Sequence, residues 1–466
     1  MKRFFCVLFI LFFRLAVAEE VIDFQNVGKV TIYEPAHPPA SNVVIFVSGD
    51  DGWKNGVIHM ARQLTDQNAL VIGVDVVRFI QAMDKKNEDC SYPAGHFENL
   101  SKFVQKKEGI KEYKPPILVG YSSGATMVYL AMAQAPPNTF SGAISLGFCP
   151  DLWTIKPMCE GVGLKSHRKS NGHGYYYDPV PEIQNPWIAL QGGVDRICNA
   201  QSTDDFIKQI PTAKVISLPK VGHGYSVEKN WLPQFMEAYS QIVKVEEKAE
   251  VAPLPHLSDL PLLEFPAKGE PKDTLAVIIS GDGGWASIDR EIGNYLVAHG
   301  ISVVGLNSLK YLWDEKKPET MSKDLDRILT YYLATWKKSN ATVIGFSLGA
   351  DVLPFMVEKL PPATADKISS LVLLAPSAKT YFQIRLTGYW PWGKSSGTEI
   401  LPVLTKITKP QIMCIYGDDE DDSLCADIKA SKTPQPNVIL EMIKGGHHFT
   451  GDYQAVAELF TKKLGL

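Results

Sequence analysis

Two serines in this chain sit between glycines in one repeated pattern. Gly120-Tyr121-Ser122-Ser123-Gly124-Ala125 and Gly345-Phe346-Ser347-Leu348-Gly349-Ala350 both read G-x-S-x-G-A. A serine hydroxyl is a weak nucleophile until a neighbouring base takes its proton, and that base needs an acid to hold its tautomer. Candidates for both partners follow each serine in the order acid, then histidine, and they too come twice. Asp195-Arg196-Ile197-Cys198 matches Asp422-Ser423-Leu424-Cys425, and Lys220-Val221-Gly222-His223-Gly224-Tyr225 matches Lys444-Gly445-Gly446-His447-His448-Phe449. Such a set performs acyl transfer: an ester acylates the serine, and water then removes the acyl group. It needs no metal or cofactor, and no Cys/His spacing in the chain reads as a metal site.

In the second copy the nucleophile is Ser347. The base is His447 rather than the adjacent His448, because the repeat pairs His447 with His223. The acid stays open within the run Asp418 to Asp422. Counting G-x-x-acid from Gly417 gives Glu420, whereas the Asp-x-Leu-Cys match to Asp195 gives Asp422. Asp422 is favoured, with Glu420 and Asp421 as alternatives. The first copy reads Ser122, Asp195 and His223, with Asp195 three residues after Gly192. It is either a second active site or a duplicated domain kept as a scaffold. An acyl-transfer oxyanion needs fixed N–H donors, supplied by the residue after the nucleophile and by the turn after an early core strand. Those donors are the backbone N–H groups of Leu348 and Asp282. The competing reading of Gly281 to Gly284 is a tight turn with no role in binding.

These residues need strands and helices to hold them. Each elbow follows an apolar run (116–119 and 341–344) and precedes a helix-compatible stretch, the context of a nucleophile elbow. Upstream, Val44-Ile45-Phe46-Val47-Ser48-Gly49-Asp50-Asp51-Gly52-Trp53 matches Ala276-Val277-Ile278-Ile279-Ser280-Gly281-Asp282-Gly283-Gly284-Trp285. The turn serine precedes the elbow serine by 74 residues in one copy and 67 in the other. Four anchors in register imply duplication of a whole domain, too long for a solenoid repeat.

Apolar runs predict strands at 43–47, 70–75, 116–119 and 142–147 in the first copy, with helices near 56–67, 97–106 and 124–134. The second copy predicts strands at 275–279, 301–305, 341–345, 369–375, 410–416 and 437–443, with helices at 287–298, 321–337 and 349–359. Alternation of this kind predicts an α/β fold: two tandem α/β-hydrolase-like domains, each a mostly parallel sheet flanked by helices. Residues 148–178 and 377–400 read as irregular excursions over the two active-site mouths. The first carries Lys165, His167, Arg168, Lys169 and His173, and the second Tyr381, Phe382, Tyr389, Trp390 and Trp392. The basic group reads as a solvated loop or as a patch that meets phosphate groups. The aromatics read as lid packing or as a bilayer-facing surface.

Lys2-Arg3, the apolar run Phe4 to Phe13 and Ala16-Val17-Ala18 predict a secretory signal cleaved after Ala18, hence a periplasmic protein. An uncleaved anchor is disfavoured, because ten apolar residues are too few to span a bilayer comfortably. The expected organisation is a signal at 1–18, a first domain at 19–244, a Glu/Lys/Ala/Pro linker at 245–258 and a second domain at 259–466. With 47 Lys and Arg against 51 Asp and Glu the formal charge is −4, and loss of Lys2, Arg3 and Arg14 takes it to −7. An acidic chain has no broad electrostatic reason to hold nucleic acid. Beyond the signal's Cys6, six cysteines remain, an even count that favours disulfides in an exported chain. Cys414–Cys425 is the natural pair in the second domain. Cys149–Cys159 with Cys90–Cys198 is the expected pairing in the first, the alternative being that some thiols are free and buried.

The second copy resembles the bacterial virulence protein family AcvB/VirJ. The resemblance lies in Ser280 to Trp285, Trp313 with Pro318-Glu319-Thr320, Gly345 to Phe355, and Gly445 to Phe449. It covers residues 257–466, and the two-copy layout resembles the longer AcvB-type members, with a weaker match in the first copy. The resemblance implies a periplasmic α/β-hydrolase fold linked to virulence and type IV secretion. For AcvB-type members it implies hydrolysis of lysyl-phosphatidylglycerol, a phospholipid substrate met at the membrane surface. A lysyl group would favour an acidic pocket, and Asp282, Asp289 and Asp351 lie near the site elements in sequence. Two other readings compete: an esterase or lipase of another substrate, and a non-catalytic periplasmic adaptor that binds secreted proteins or a secretion apparatus.

Overall fold

Parallel strands covered on both faces read as unbroken apolar runs, and the central strands here do. Every residue of Ala69–Val74, Gly142–Leu146 and Ser302–Leu306 is buried. The computed structural model describes residues 19–249, 257–385, 397–420, 422–431 and 435–466. The predicted signal, 1–18, lies outside them, as does Asp421.

The first sheet has eight strands, in the spatial order Glu19–Phe24, Gly28–Tyr33, Ala69–Val74, Asn42–Val47, Ile117–Tyr121, Gly142–Leu146, Trp187–Gly192, Ala213–Leu218. The first two strands pair antiparallel, and the second runs antiparallel to the third. The remaining pairs are parallel. The second sheet repeats this order without its outermost strand. It runs Leu262–Phe265, Ser302–Leu306, Thr274–Ile279, Asn340–Phe346, Ile368–Leu374, Gln411–Gly417, Val438–Ile443. Only its first pair is antiparallel. Each sheet has an apolar core on both faces. Among the described residues no helix is long and apolar enough to cross a membrane.

The predicted parallel strands are present, with ends shifted by a residue or two. The differences are local. Helix Val76–Asp84 goes unread in the sequence, although Val76, Phe79, Ile80 and Met83 follow helical spacing and are buried. The excursion 148–178 is not wholly irregular. Asp151–Leu152, Ser166–Arg168 and Tyr175–Tyr177 form a small antiparallel sheet, too short for any periodicity to show. Helix Leu232–Ala249 continues into the segment assigned to a linker from 245, because Glu, Lys and Ala are good helix formers.

The repeated Ser-Gly-Asp turn has a structural duty in each domain. Ser48 Oγ accepts from Val76 N at 3.0 Å, and Ser280 Oγ accepts from Ser308 N at 2.9 Å. The following tryptophans, Trp53 and Trp285, lie on glycines of the adjacent strand. A Cβ at Gly73 or Gly305 would come within 2.1 or 2.3 Å of the indole. Turn and tryptophan therefore recur as a unit.

The two domains touch beside the second site. Trp313, buried in the second domain's core, donates from Nε1 to Ile110 O at 2.7 Å and packs on Tyr113. The Lys106 ammonium lies 4.1 Å from the centre of the Trp313 ring. Helix Pro93–Lys107 also presents Lys102, which is buried, paired with Glu98 at 2.7 Å, and donates to Asp282 O at 3.5 Å.

The candidate active sites

Each elbow serine is held in the left-handed region, Ser347 at φ 50°, ψ −121° and Ser122 at φ 56°, ψ −123°. Such a conformation costs about 1–3 kcal/mol and persists only where the surroundings enforce it. Here the strand ends and a helix begins within one residue. The flanking glycines make the crossing possible. A Cβ on Gly345 would fall 2.5 Å from Gly349 O, and one on Gly349 would fall 2.1 Å from Ile279 O. In the first domain the corresponding distances are 2.1 Å, Gly120 to Gly124 O, and 2.2 Å, Gly124 to Val47 O.

In the second domain Ser347 Oγ lies 2.9 Å from His447 Nε2, and His447 Nδ1 lies 2.7 Å from Glu420 Oε1. The Glu420 side chain is 7% exposed, and its other oxygen accepts from Gly417 N at 3.0 Å. The carboxylate on His447 is thus Glu420, and the expectation of Asp422 is corrected. Asp422 Oδ1 instead accepts from Ala378 N at 3.2 Å. The reason is the strand end: both acids stand three residues after the last glycine of their strand, Gly192 to Asp195 and Gly417 to Glu420. The cysteine match misled because its spacing to the glycine differs between copies.

His448 is not the residue at Ser347. Its Nδ1 lies 3.3 Å from Tyr453 Oη, and burial, with His447 beside it, lowers its pKa. Among the described residues neither Leu348 N nor Asp282 N has an internal acceptor, so both remain available to an oxyanion. Around Ser347 stand further carboxylates. Asp351 is buried in the first turn of the elbow helix and accepts from Ser377 N at 2.7 Å. Burial, and then the nearby Asp422 and Asp282 carboxylates, push its pKa well up against the Ser377 hydrogen bonds.

Asp289 does not join that group. Its Oδ2 accepts from Ala286 N at 3.1 Å as the start of helix Ser287–Ala298, while its buried Oδ1 has no partner among the described residues. Burial raises its pKa to about 7. A carboxyl that holds its proton more tightly when folded stabilises the fold at low pH, and this contribution is lost as pH rises from about 4 to about 7. Asp289→Asn is therefore expected to flatten the pH dependence of stability in that window. The difference amounts to roughly 4 kcal/mol for a shift of this size. Urea titrations of both proteins between pH 4 and 8 check it, and parallel curves would contradict it.

In the first domain Ser122 Oγ lies 2.9 Å from His223 Nε2, and His223 Nδ1 lies 2.8 Å from Asp195 Oδ2. Asp195 Oδ1 accepts from Ile197 N and Cys198 N at 2.8 and 2.9 Å. Asp195, Cys198 and His223 cluster closely enough to suggest a metal. However, the Cys198 sulfur is spent in a disulfide and His223 Nε2 faces Ser122, so the donor set is that of a relay. In the basic excursion, His167 and Lys169 are tied to Asp178 and Asp151 at 2.8 and 2.5 Å.

Three disulfides are present. Cys414–Cys425 matches the expected pair, while the first domain pairs Cys90–Cys159 and Cys149–Cys198, correcting the expected exchange partners. Topology explains the correction. Cys149 follows the strand Gly142–Leu146, which pairs with the strand Trp187–Gly192 that leads to Cys198, whereas Cys90 and Cys159 meet where Ser91 N donates to Pro157 O and Cys159 N to Ser91 O, both at 2.9 Å. Cys149–Cys198 and Cys414–Cys425 both brace the loops that carry the triad acids. Removing the second as Cys414→Ala with Cys425→Ala should cost about 2–3 kcal/mol for so short a loop. It should lower turnover more than helix content, because Glu420 loses its anchored loop. Equal activity of the pair variant and the parent at 25 °C would contradict this.

Sequence reasoning missed Lys102 at the Asp282 carbonyl, because the contact crosses domains and no motif marks it. The aromatics Tyr389, Trp390 and Trp392 lie outside the described residues. Tyr381 and Phe382 are partly buried, Phe382 against Phe355 at 5.0 Å between ring centres.

The sheet order, two strained elbows and two Ser–His–carboxylate chains define an α/β-hydrolase fold carried twice in one chain. The protein belongs to the bacterial virulence protein (VirJ) family, whose sequence profile matches residues 41–145 and 273–465. No curated protein sequence matches it. Among solved structures it is similar to the esterase domain of a Rhodothermus marinus protein, at 13% identity over 48% of this chain and 98% of that one, TM-score 0.33. A putative dienelactone hydrolase from Klebsiella pneumoniae subsp. pneumoniae MGH 78578 is 13% identical over 49% and 98%, TM-score 0.37. Est1E from Butyrivibrio proteoclasticus is 14% identical over 49% and 99%, TM-score 0.33.

Proposed function

We propose that the second domain is a periplasmic serine ester hydrolase acting on an aminoacylated phospholipid, lysyl-phosphatidylglycerol. The observation that carries this reading is the Ser347–His447–Glu420 chain at 2.9 and 2.7 Å, set beside Asp282, Asp351 and Asp422. Ser347 Oγ attacks the aminoacyl carbonyl while His447 Nε2 takes its proton. The N–H groups of Leu348 and Asp282 hold the oxyanion. The glycerol oxygen leaves with the proton from His447, and water repeats the sequence to release lysine and restore the serine.

The carboxylates account for the choice of acyl group. Like charges forced together raise one another's pKa, and a cation placed among them relieves the strain. A lysyl moiety brings such a cation and an activated ester together. Family membership supports the link to virulence and type IV secretion, and three disulfides suit an oxidising compartment. The test is lysine release from vesicles containing lysyl-phosphatidylglycerol by the purified protein. Release from the lysyl lipid exceeding that from an alanyl lipid is the expected result. No release of either amino acid would refute the reading.

A further inference from the structure

We propose that the first domain is a second ester hydrolase, and that its site takes a neutral, apolar acyl group. The chemistry is available: Ser122, His223 and Asp195 form a chain as tight as that of the second domain. Among the described residues the N–H groups of Asp50 and Ser123, the counterparts of Asp282 and Leu348, likewise lack internal acceptors. Ser122 Oγ would attack an ester carbonyl and give its proton to His223 Nε2. The alcohol would leave with that proton, and water would then release the carboxylic acid and restore Ser122.

What differs is the wall around the serine. Of three carboxylates at the second site, one has a hydrogen-bonded counterpart in the first and two are replaced by uncharged residues. Asp282 has no side-chain donor among the described residues, because Leu348 follows its nucleophile. Its counterpart Asp50 accepts from Ser123 Oγ at 2.6 Å and from Trp153 Nε1 at 2.8 Å. Asp351, four residues after Ser347, becomes Thr126, whose hydroxyl donates to Cys149 O at 2.6 Å. Asp422, five residues after its strand-end glycine, becomes Ile197.

The segments that carry the first site also expose apolar side chains. Ile197 is 71% exposed, Val194 58% and Trp153 39%. Ile197 and Val194 flank Asp195, and Trp153 reaches the elbow through Asp50 and Ser123. Single exposed apolar residues need no explanation, but a group at one catalytic mouth marks a surface that gains by being covered. An acyl chain entering toward Ser122 covers it. From these three positions a cationic acyl group would meet one carboxylate, Asp50, already held by Ser123 and Trp153, where the second site offers three.

The contrast with the second domain rests on the reading given for that site, and the experiment separates the two. Purified full chain, Ser122→Ala, Ser347→Ala and the double variant are assayed on p-nitrophenyl butyrate and on lysine p-nitrophenyl ester, with circular dichroism to verify folding. Ser122→Ala should lose about tenfold or more of butyrate turnover and keep lysyl turnover, and Ser347→Ala should do the reverse. In the Ser347→Ala background, Ile197→Asp should shift preference toward the lysyl ester by about tenfold. Butyrate turnover that is absent in the parent, or unchanged by Ser122→Ala, overturns the proposal, whatever happens to the lysyl ester. Lysyl turnover surviving Ser347→Ala would count against the second-site reading alone, and the butyrate assay would still decide the first.

Discussion

Ser347→Ala is expected to lower turnover of the aminoacyl lipid by about 10⁶ in kcat, with the protein folded and lipid binding retained. The effect is large because in the proposed reaction Ser347 Oγ forms the acyl bond, and it stands 2.9 Å from the base. Alanine fits the elbow, since it removes one oxygen and leaves the strained backbone and the glycine contacts intact. Loss of Oγ leaves His447 and the two N–H donors in place, so residual catalysis over water of about 10³–10⁴ should remain. The check is single-turnover lysine release alongside vesicle binding. Retained turnover in a variant with normal circular dichroism would remove Ser347 from the reaction.

The second large effect separates the acid that the sequence favours, Asp422, from its alternative Glu420. Glu420→Gln should lower kcat by about 10⁴, the cost of leaving the imidazole in the wrong tautomer. Its Oε1 lies 2.7 Å from His447 Nδ1 and accepts the hydrogen bond from the N–H there, whereas an amide cannot stabilise the imidazolium that forms. Asp422→Asn should leave kcat on a neutral ester within about tenfold, because Asp422 bonds Ala378 N and not the base. For a lysyl ester it should raise KM, as one of the carboxylates around Asp351 has gone. Parallel measurement of kcat and KM on lysyl and butyryl esters checks both halves. A kcat loss in Asp422→Asn equal to that in Glu420→Gln would reassign the acid.

Much of this site was legible in the chain, for physical reasons that also explain what was not. The elbow is readable because a serine at positive φ between a strand and a helix demands glycine on both sides, and both copies obey. The order serine, acid, histidine follows from successive strands delivering one residue each. The acid itself was misread because two rules gave different counts. The rule tied to the strand end prevailed, since geometry at a sheet edge is counted from the last paired residue, Gly417 N being bonded to Glu420 itself. The rule tied to cysteine failed because Cys198 bridges to Cys149, beyond a neighbouring strand, but Cys425 to Cys414, within the strand that leads to its own loop. Asp289 looked like a pocket acid by sequence proximity, yet its carboxylate begins a helix. Trp313 on Ile110 and Lys102 on Asp282 join residues some two hundred positions apart, and no local pattern encodes such contacts.

In the proposed reaction Ser347 is a nucleophile activated by His447 and Glu420. Fluorophosphonate treatment of the folded protein, followed by peptide mapping by mass spectrometry, tests it most directly. An adduct is expected on the peptide containing Ser347, absent from Ser347→Ala and slowed by at least about a hundredfold in Glu420→Gln, where the base is no longer oriented. Folded parent protein that carries no adduct at Ser347, or that labels equally fast without the Glu420 carboxylate, would contradict it.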